Sequence, residues 1–281
     1  MLSVIVPALN SASTISLTLS SVFSSRFPKE SYEVVVVDNG STDGTVRVAE
    51  RFPVRICHCS NKGIGPPRNL GVKMAKGRIV CLTDSDCIVE EDWLAKIYSF
   101  FERYPDADGV GGPVVPYPFG QNKVQRLTGE LFVEDQGFPE KVRRVESGSM
   151  RGVIFGSNSA YRKEAFLSSG GYTVGGSNLE LAWKLTSMNR KLFFDPEIRV
   201  SHIFPFSLRS VLRQQFRWGA QSTQMKRLHY VHKGVKEIVY ICYFPVRHLL
   251  CLAFHSDLER ELMHFTQLAG YSLGRIYGFS L

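Results

Sequence analysis

The chain has 281 residues, with 34 Lys and Arg against 26 Asp and Glu, 44% apolar residues and 21% charged ones. That balance supports a sizeable core and excludes a disordered chain, while 24 Gly and 13 Pro without a repeat exclude collagen-like and low-complexity classes. The net charge of +8 is concentrated, because no acidic residue occurs from Ile198 to Lys236 while Arg199, Arg209, Arg213, Arg217, Lys226, Arg227, Lys233 and Lys236 all fall there. A block of this kind suits a phosphorylated ligand, an anionic membrane surface or nucleic acid.

The chain opens on a strand-like run, Leu2 to Val6, with no basic n-region or long apolar stretch, so no signal peptide is expected. Ile15, Leu19, Val22 and Phe23 share one face of a predicted helix. Val34 to Val37 is an all-β-branched run, as expected for a strand buried on both faces of a parallel sheet. Ser41-Thr-Asp-Gly44 predicts a turn and cap for a helix over 43–52. Val54 to Cys57 and Arg78 to Thr83 predict two further strands, and Glu90 to Tyr104 a helix with Trp93, Ile97, Phe100 and Phe101 inward. Strands separated by helices imply βαβ units. Residues 105–160 are rich in Gly and Pro; a helix over 121–134 and a strand near Gly152 to Phe155 are expected there. Helices are expected again over 178–189 and 207–228.

Six cysteines include no C-x-x-C pair and no zinc-ligand spacing, and Cys81 and Cys87 read as small buried thiols in a reducing cytosol. From Ile238 to Phe254, 14 of 17 residues are apolar, but Pro245, Arg247 and His248 interrupt the run. The run is shorter than the roughly 20 residues a span needs, and a central Arg offsets much of its apolar gain. Two readings remain, a helix lying in the membrane interface and a helix docked on the protein's own core.

Ligands of open parallel sheets bind beyond the carboxyl ends of the strands. The first strand ends in Pro7-Ala-Leu-Asn10, the second in Asp38-Asn-Gly-Ser-Thr-Asp-Gly44 and the fourth in Asp84-Ser-Asp86. Neither G-x-G-x-x-G nor a P-loop is present, which argues against a dehydrogenase or P-loop enzyme. Two carboxylates one residue apart at a strand end can approach one hard cation that keeps positions open for phosphates. A turn capping the following helix is the competing reading of Asp84-Ser-Asp86.

Pro7-x-x-Asn10, Val36-Val-Asp-Asn-Gly-Ser-Thr-Asp-Gly-Thr45, Asn61-x-Gly63, Arg68-Asn-x-Gly71 and Asp84-Ser-Asp86 together resemble the nucleotide-binding half of the family-2, GT-A-fold glycosyltransferases. The likeness continues through Gly156-Ser-Asn158, Gly170-Gly-Tyr172 and Gln214-x-x-Arg217-Trp218. It implies an α/β GT-A domain over 1–220, with a mainly parallel central sheet flanked by helices, a nucleotide-binding half over 1–104 and an acceptor half over 105–220. A helical, membrane-associating extension would follow over 221–281. The resemblance further implies that Pro7, Asn10, Asp38, Arg68, Asp84 and Ser85 bind a nucleotide-sugar donor, with UDP favoured. Asp86, Asp84 and His202 would hold Mn²⁺ or Mg²⁺, and Ser157, Asn158, Gln214, Arg217 and Trp218 would serve the acceptor and diphosphate. His202 reads equally well as a structural loop histidine.

Family members that invert the anomeric centre usually take their base from a Glu-Asp pair after the Gly-Gly-Tyr motif. Here the pair is Ser177-Asn178, followed by Glu180. Asn accepts no proton at neutral pH. Glu180 as base, an acceptor already ionised (such as a polyprenyl phosphate), or weakened or lost activity each accounts for the change, and the competing reading of Glu180 is a helix salt-bridge residue. The expected function is sugar transfer to a lipid-linked or glycan acceptor at the cytoplasmic face of a membrane, by a peripheral or monotopic protein binding anionic lipid and no nucleic acid. A catalytically silent nucleotide-sugar-binding protein and a nucleotidyltransferase are the alternatives.

Overall fold

Four apolar runs in the first hundred residues become β1 (Leu2–Ala8), β2 (Tyr32–Asp38), β3 (Arg55–His58) and β4 (Ile79–Leu82). They lie parallel in the order β3-β2-β1-β4. The computed structural model describes residues 1–61, 63–120, 122–146, 154–173, 176, 178–229 and 258–280. Alternate residues of the strands feed two apolar layers. Leu2, Val4, Val6, Val34 and Val36 pack with α1 (Ile15–Phe23) and α4 (Trp93–Arg103). Ile5, Val35, Val37, Val80 and Leu82 pack on the opposite face with α3 (Gly65–Met74), α6 (Lys163–Ser168) and α7 (Asn178–Ser187). This period of two, with both sets buried, is why the runs are continuously apolar. A short helix, α2 (Thr45–Ala49), replaces the longer one expected over 43–52.

The sheet continues through strands hidden in the Gly- and Pro-rich region. β9 (Ser159–Arg162) pairs antiparallel with β4 and with β6 (Gly109–Gly111). β10 (Leu192–Phe194) then runs parallel to β6 and antiparallel to β8 (Arg143–Arg144), completing an eight-stranded sheet. A Cβ on Gly109 would come within 2.6 Å of Tyr161, so the glycine that reads as a breaker is what the sheet requires. No strand forms at Ile154 and Phe155, where there is only an isolated bridge to Asn158, and Gly152 and Val153 lie outside the described residues. A small sheet of β5 (Cys87–Val89), β11 (Val200–His202) and β7 (Val114–Pro116) sets His202 opposite Cys87.

The chain divides into two compact units, Met1–Val115 with Gln136–His202, and Pro116–Asp135 with Ile203–Leu281. The second contains nearly all of α5 (Lys123–Gln136) together with α8 (Leu208–His229) and α9 (Leu258–Ser280). Leu127, Leu131, Val211 and Met263 form its core, and Phe132 packs on Phe204 and Trp218. Position 220 falls inside α8. The apolar run 238–254 lies outside the described residues, as do Lys233 and Lys236. Among the described residues, no helix is long and apolar enough to cross a membrane.

Candidate active site

The loops after β1 and β2 are tied together by the polar residues that the sequence places there. Asn10 has φ +52°, its Oδ1 accepts from Thr42 N at 2.9 Å, and its own N–H donates to Ser41 Oγ at 3.0 Å. Asp38 is 4% exposed and its carboxylate accepts from the backbone of Gly40 and Ser41, both at 3.2 Å. Gly40 has φ +86°, which the turn needs and a side chain would resist. His58 Nδ1 lies 3.4 Å from Asp38, at the end of the neighbouring strand. Asp38 is thus the anchor of its own turn as well as the expected nucleobase ligand. Pro7 lies in β1 opposite Val37, just before this loop.

Each residue of Arg68-Asn-x-Gly71 has a separate structural task. Arg68 is 5% exposed and donates to Asp84 Oδ1 at 2.7 Å, with its guanidinium 5.3 Å from the Tyr172 ring centroid. Burial opposes the charge on Arg68, but Asp84 and the Tyr172 hydroxyl outweigh it, so its pKa is raised. Asn69 donates to Tyr172 O at 2.7 Å and accepts from Tyr172 N at 2.9 Å, clasping the Gly-Gly-Tyr segment to α3. Gly71 lets α3 press on β1, since a Cβ there would meet Ile5 at 2.3 Å. Pro66 and Pro67 hide this helix from sequence inspection, although a first turn needs no proline N–H.

Asp86 and His202 form the second cluster. The β5–β11 pairing places His202 Nε2 3.4 Å from Asp86 Oδ1, and Cys87 Sγ lies within 4.8 Å of both. Burial raises the Asp86 pKa but His202 more than reverses it, so the carboxylate stays ionised. Burial lowers the His202 pKa, and Asp86 reverses that too. Cys87 is fully buried and its thiol is pushed well up by burial and by Asp86 and Asp84. Asp84 faces Arg68, while Ser85 Oγ is 2.7 Å from Ser11 Oγ, linking this loop to the end of β1. The carboxylates of the Asp-Ser-Asp triplet therefore have different partners.

Asn178 opens α7 and accepts from the Tyr172 hydroxyl at 3.3 Å. A Cβ on Gly156 would lie 2.7 Å from both Arg68 Cζ and Asn178 Oδ1, so Arg68, Gly156, Tyr172 and Asn178 meet at one place. Glu180 is 2% exposed, pairs with Lys184 at 2.8 Å and accepts from Thr173 Oγ1 at 2.6 Å. That geometry favours a helix-pairing role for Glu180 over proton abstraction. Asn158 is fully buried; its amide donates to Pro113 O at 3.0 Å and Ile198 O at 2.7 Å, and its oxygen accepts from Trp93 Nε1 at 3.0 Å. It joins three segments, with both amide N–H groups engaged and the side chain closed to solvent. Ser157 stands beside it in the turn after Phe155 and is half-buried. Gln214, Arg217 and Trp218 lie on α8, in the second unit. Sequence reasoning missed Tyr172 as a partner of the site and Cys87 as a neighbour of Asp86. The Gly-Gly-Tyr motif was the available signal for the first.

The family model described as glycosyl transferase family 2 matches residues 3–168. Glycosyltransferase AglE of Haloferax volcanii is 30% identical over 234 residues, covering 79% of this chain and 73% of that protein. The glucosyl-dolichyl phosphate glucuronosyltransferase of the same organism is 30% identical over 164 residues, covering 55% of this chain and 50% of that protein. This chain spans only half of the second relative. Among solved structures, the mannosyltransferase PcManGT of Pyrobaculum calidifontis, in complex with GDP-Man and Mn²⁺, superposes with a TM-score of 0.68 at 20% identity, over 99% of this chain and 86% of that one. The last likeness establishes the GT-A fold.

Proposed function

The chain belongs to glycosyl transferase family 2, and from that premise we propose that it moves a sugar from a nucleoside-diphosphate donor to a lipid-linked acceptor, with inversion, using Mn²⁺ or Mg²⁺. The observation that carries the reading is the convergence of the Arg68–Asp84 and Asp86–His202 pairs at the carboxyl end of β4. Membership of a glycosyl transferase family leaves the nucleotidyltransferase alternative without support.

Asp86 and His202 fit a hard divalent cation, because an ionised carboxylate and an imidazole converge while the adjacent thiol stays protonated. When bound, such an ion neutralises the charge that develops on the departing diphosphate. Arg68 adds a fixed positive charge near the same loop, and Asp84 holds it there while offering its other oxygen to the ribose. Asp38 accepts from a nucleobase N–H, beside Pro7 and Asn10, and Ser85 borders the donor. A uracil imide suits Asp38, so UDP is the favoured donor. Ser157, Gln214, Arg217 and Trp218 serve the acceptor.

Asn178 takes no proton, and Glu180 is held by Lys184 and Thr173. An acceptor already ionised at neutral pH, such as a polyprenyl phosphate, needs no base from the protein. The relative named for glucosyl-dolichyl phosphate is consistent with a lipid-linked acceptor. The reaction then takes place at the cytosolic membrane surface. The same two residues favour, as a second reading, a protein that binds nucleotide sugar and transfers it weakly. Hydrolysis and transfer from UDP- and GDP-sugars with Mn²⁺, using polyprenyl phosphate and glycan acceptors, separates these readings. Transfer to polyprenyl phosphate with no gain in Asn178→Asp supports the first. A large gain in that variant shows that a base is missing, and donor binding without transfer supports the second reading.

A further inference from the structure

The second unit carries an amphiphilic surface on α8 and the segments before it. On α8, Leu208, Leu212 and Phe216 follow one another at four-residue spacing, each directly followed by an exposed arginine, Arg209, Arg213 and Arg217. An apolar stripe therefore runs beside a cationic one along the helix. α9 crosses here, where a Cβ on Gly270 would be 3.0 Å from Gln215 Cβ and from Leu212 O. Beside the crossing is a groove of about 680 Å³, lined by Leu212, Phe216 and Leu273 with Arg213 and Arg217.

Two phenylalanines extend the surface. Phe119 is 71% exposed and Phe206 is 70% exposed, and Asn122, three residues beyond Phe119, donates to Phe206 O at 2.7 Å. Among the described residues, no ion pair joins Arg209, Arg213 or Arg217 to an acid. α8 has no acidic residue, Glu130 and Glu134 pair with Arg260, and Glu259 pairs with Lys123. Large apolar side chains left in water beside uncompensated cations match the chemistry of a bilayer with anionic headgroups.

We propose that this face of the second unit docks on an anionic bilayer. Phe119, Phe206, Leu208 and Leu212 enter the headgroup boundary, and Arg209 and Arg213 meet lipid phosphates. The groove beside Gly270 receives part of a lipid chain. The surface belongs to the second unit alone, so it stands whichever donor and acceptor the enzyme uses.

The test is co-sedimentation of the full chain with phosphatidylcholine vesicles, with and without phosphatidylglycerol, and without donor, metal or acceptor. The expected result is binding to the anionic vesicles only, weakened by salt. Two double variants at exposed positions, Phe119→Ser with Phe206→Ser and Arg209→Gln with Arg213→Gln, are each expected to fold, as checked by thermal melting, and to bind less. The arginine pair should lose about fivefold per residue, the equivalent of roughly 1 kcal/mol for each basic residue at the surface. No binding to anionic vesicles overturns the proposal, as does equal binding to neutral ones. Wild-type affinity in both variants also overturns it, because the contact would then lie elsewhere. A soluble short-chain polyprenyl phosphate that binds through Arg213 without competing with vesicles would assign the groove to the acceptor instead, and overturn it too.

Discussion

Arg68 and Asp84 are joined at 2.7 Å, the arginine side chain almost wholly buried and the carboxylate 30% exposed. The asymmetry matters, because the buried member depends on the exposed one for its charge balance. Asp84→Asn should therefore strand the Arg68 guanidinium against Tyr172, whose own hydroxyl pKa burial has pushed up to about 12. Breaking a buried pair costs about 3–5 kcal/mol, and the partial exposure of Asp84 reduces this to roughly 2–3 kcal/mol. Urea unfolding of Asp84→Asn measures it. An unchanged midpoint and slope would mean that the pair contributes nothing to stability.

Asn69 binds both backbone groups of Tyr172, so its loss should loosen the Gly-Gly-Tyr segment from α3. Asn69→Ala is expected to destabilise the fold by about 1–3 kcal/mol, since two buried backbone groups lose their partner. Asn69→Asp keeps the acceptor for Tyr172 N and loses the donor to Tyr172 O. It should destabilise as well, because a carboxylate is then set against a carbonyl. Hydrogen exchange at the Tyr172 amide distinguishes the two, with faster exchange expected in Asn69→Ala than in Asn69→Asp.

The strands β1, β2 and β4 were legible because their residues are buried on both faces and need no tertiary information to stand out. Val34 to Val37 and Ile79 to Leu82 are such runs. β6 and β9 were not legible. Gly109 and Gly111 suggest a breaker until Tyr161 and Ile154 are seen to fill the space that a side chain would take. In the candidate site, the loop positions of Asn10, Asp38 and Asp86 at the strand ends were readable from a local pattern. The partners of Arg68 were not, since Tyr172 and Asn178 reach it from more than a hundred residues away through the clasp that Asn69 makes. The ion pair of Glu180 with Lys184 was readable from its helical spacing, whereas its burial and the commitments of Asn158 were not, because a distant carbonyl leaves no mark in the sequence.

Gly156 gives a test that separates chemistry from folding. A methyl group there would meet Arg68 Cζ and Asn178 Oδ1, both at 2.7 Å. Asn178 is only half-buried and can yield, whereas Arg68 is packed on Tyr172 and tied to Asp84. Gly156→Ala should therefore displace Asn178 first and, if Asn178 borders the acceptor as its place at the usual base position implies, lower kcat about tenfold or more with KM for the donor changing less. Steady-state kinetics with donor and acceptor varied separately checks this. A rise in donor KM with unchanged kcat would instead place the effect at Arg68.

Asp86, Cys87 and His202 would make different contributions to holding the proposed cation. Asp86 would supply an ionised oxygen, the preferred donor for Mn²⁺ or Mg²⁺, and His202 would supply a neutral nitrogen only after yielding the proton that Asp86 helps it keep. Cys87 lies in the same cluster, but its thiol is held protonated by burial and by the two neighbouring carboxylates. Calorimetric titration of Mn²⁺ in the presence of nucleoside diphosphate should therefore show Asp86→Ala losing the most affinity, His202→Ala losing less, and Cys87→Ala binding as the unaltered protein does. The order has a physical cause: removing the anion takes away a full charge opposite the ion, while removing the imidazole takes away a dipole and relieves a competing proton. Weakened binding in Cys87→Ala would assign the thiol to the coordination sphere and favour a softer ion, such as Zn²⁺, at this position.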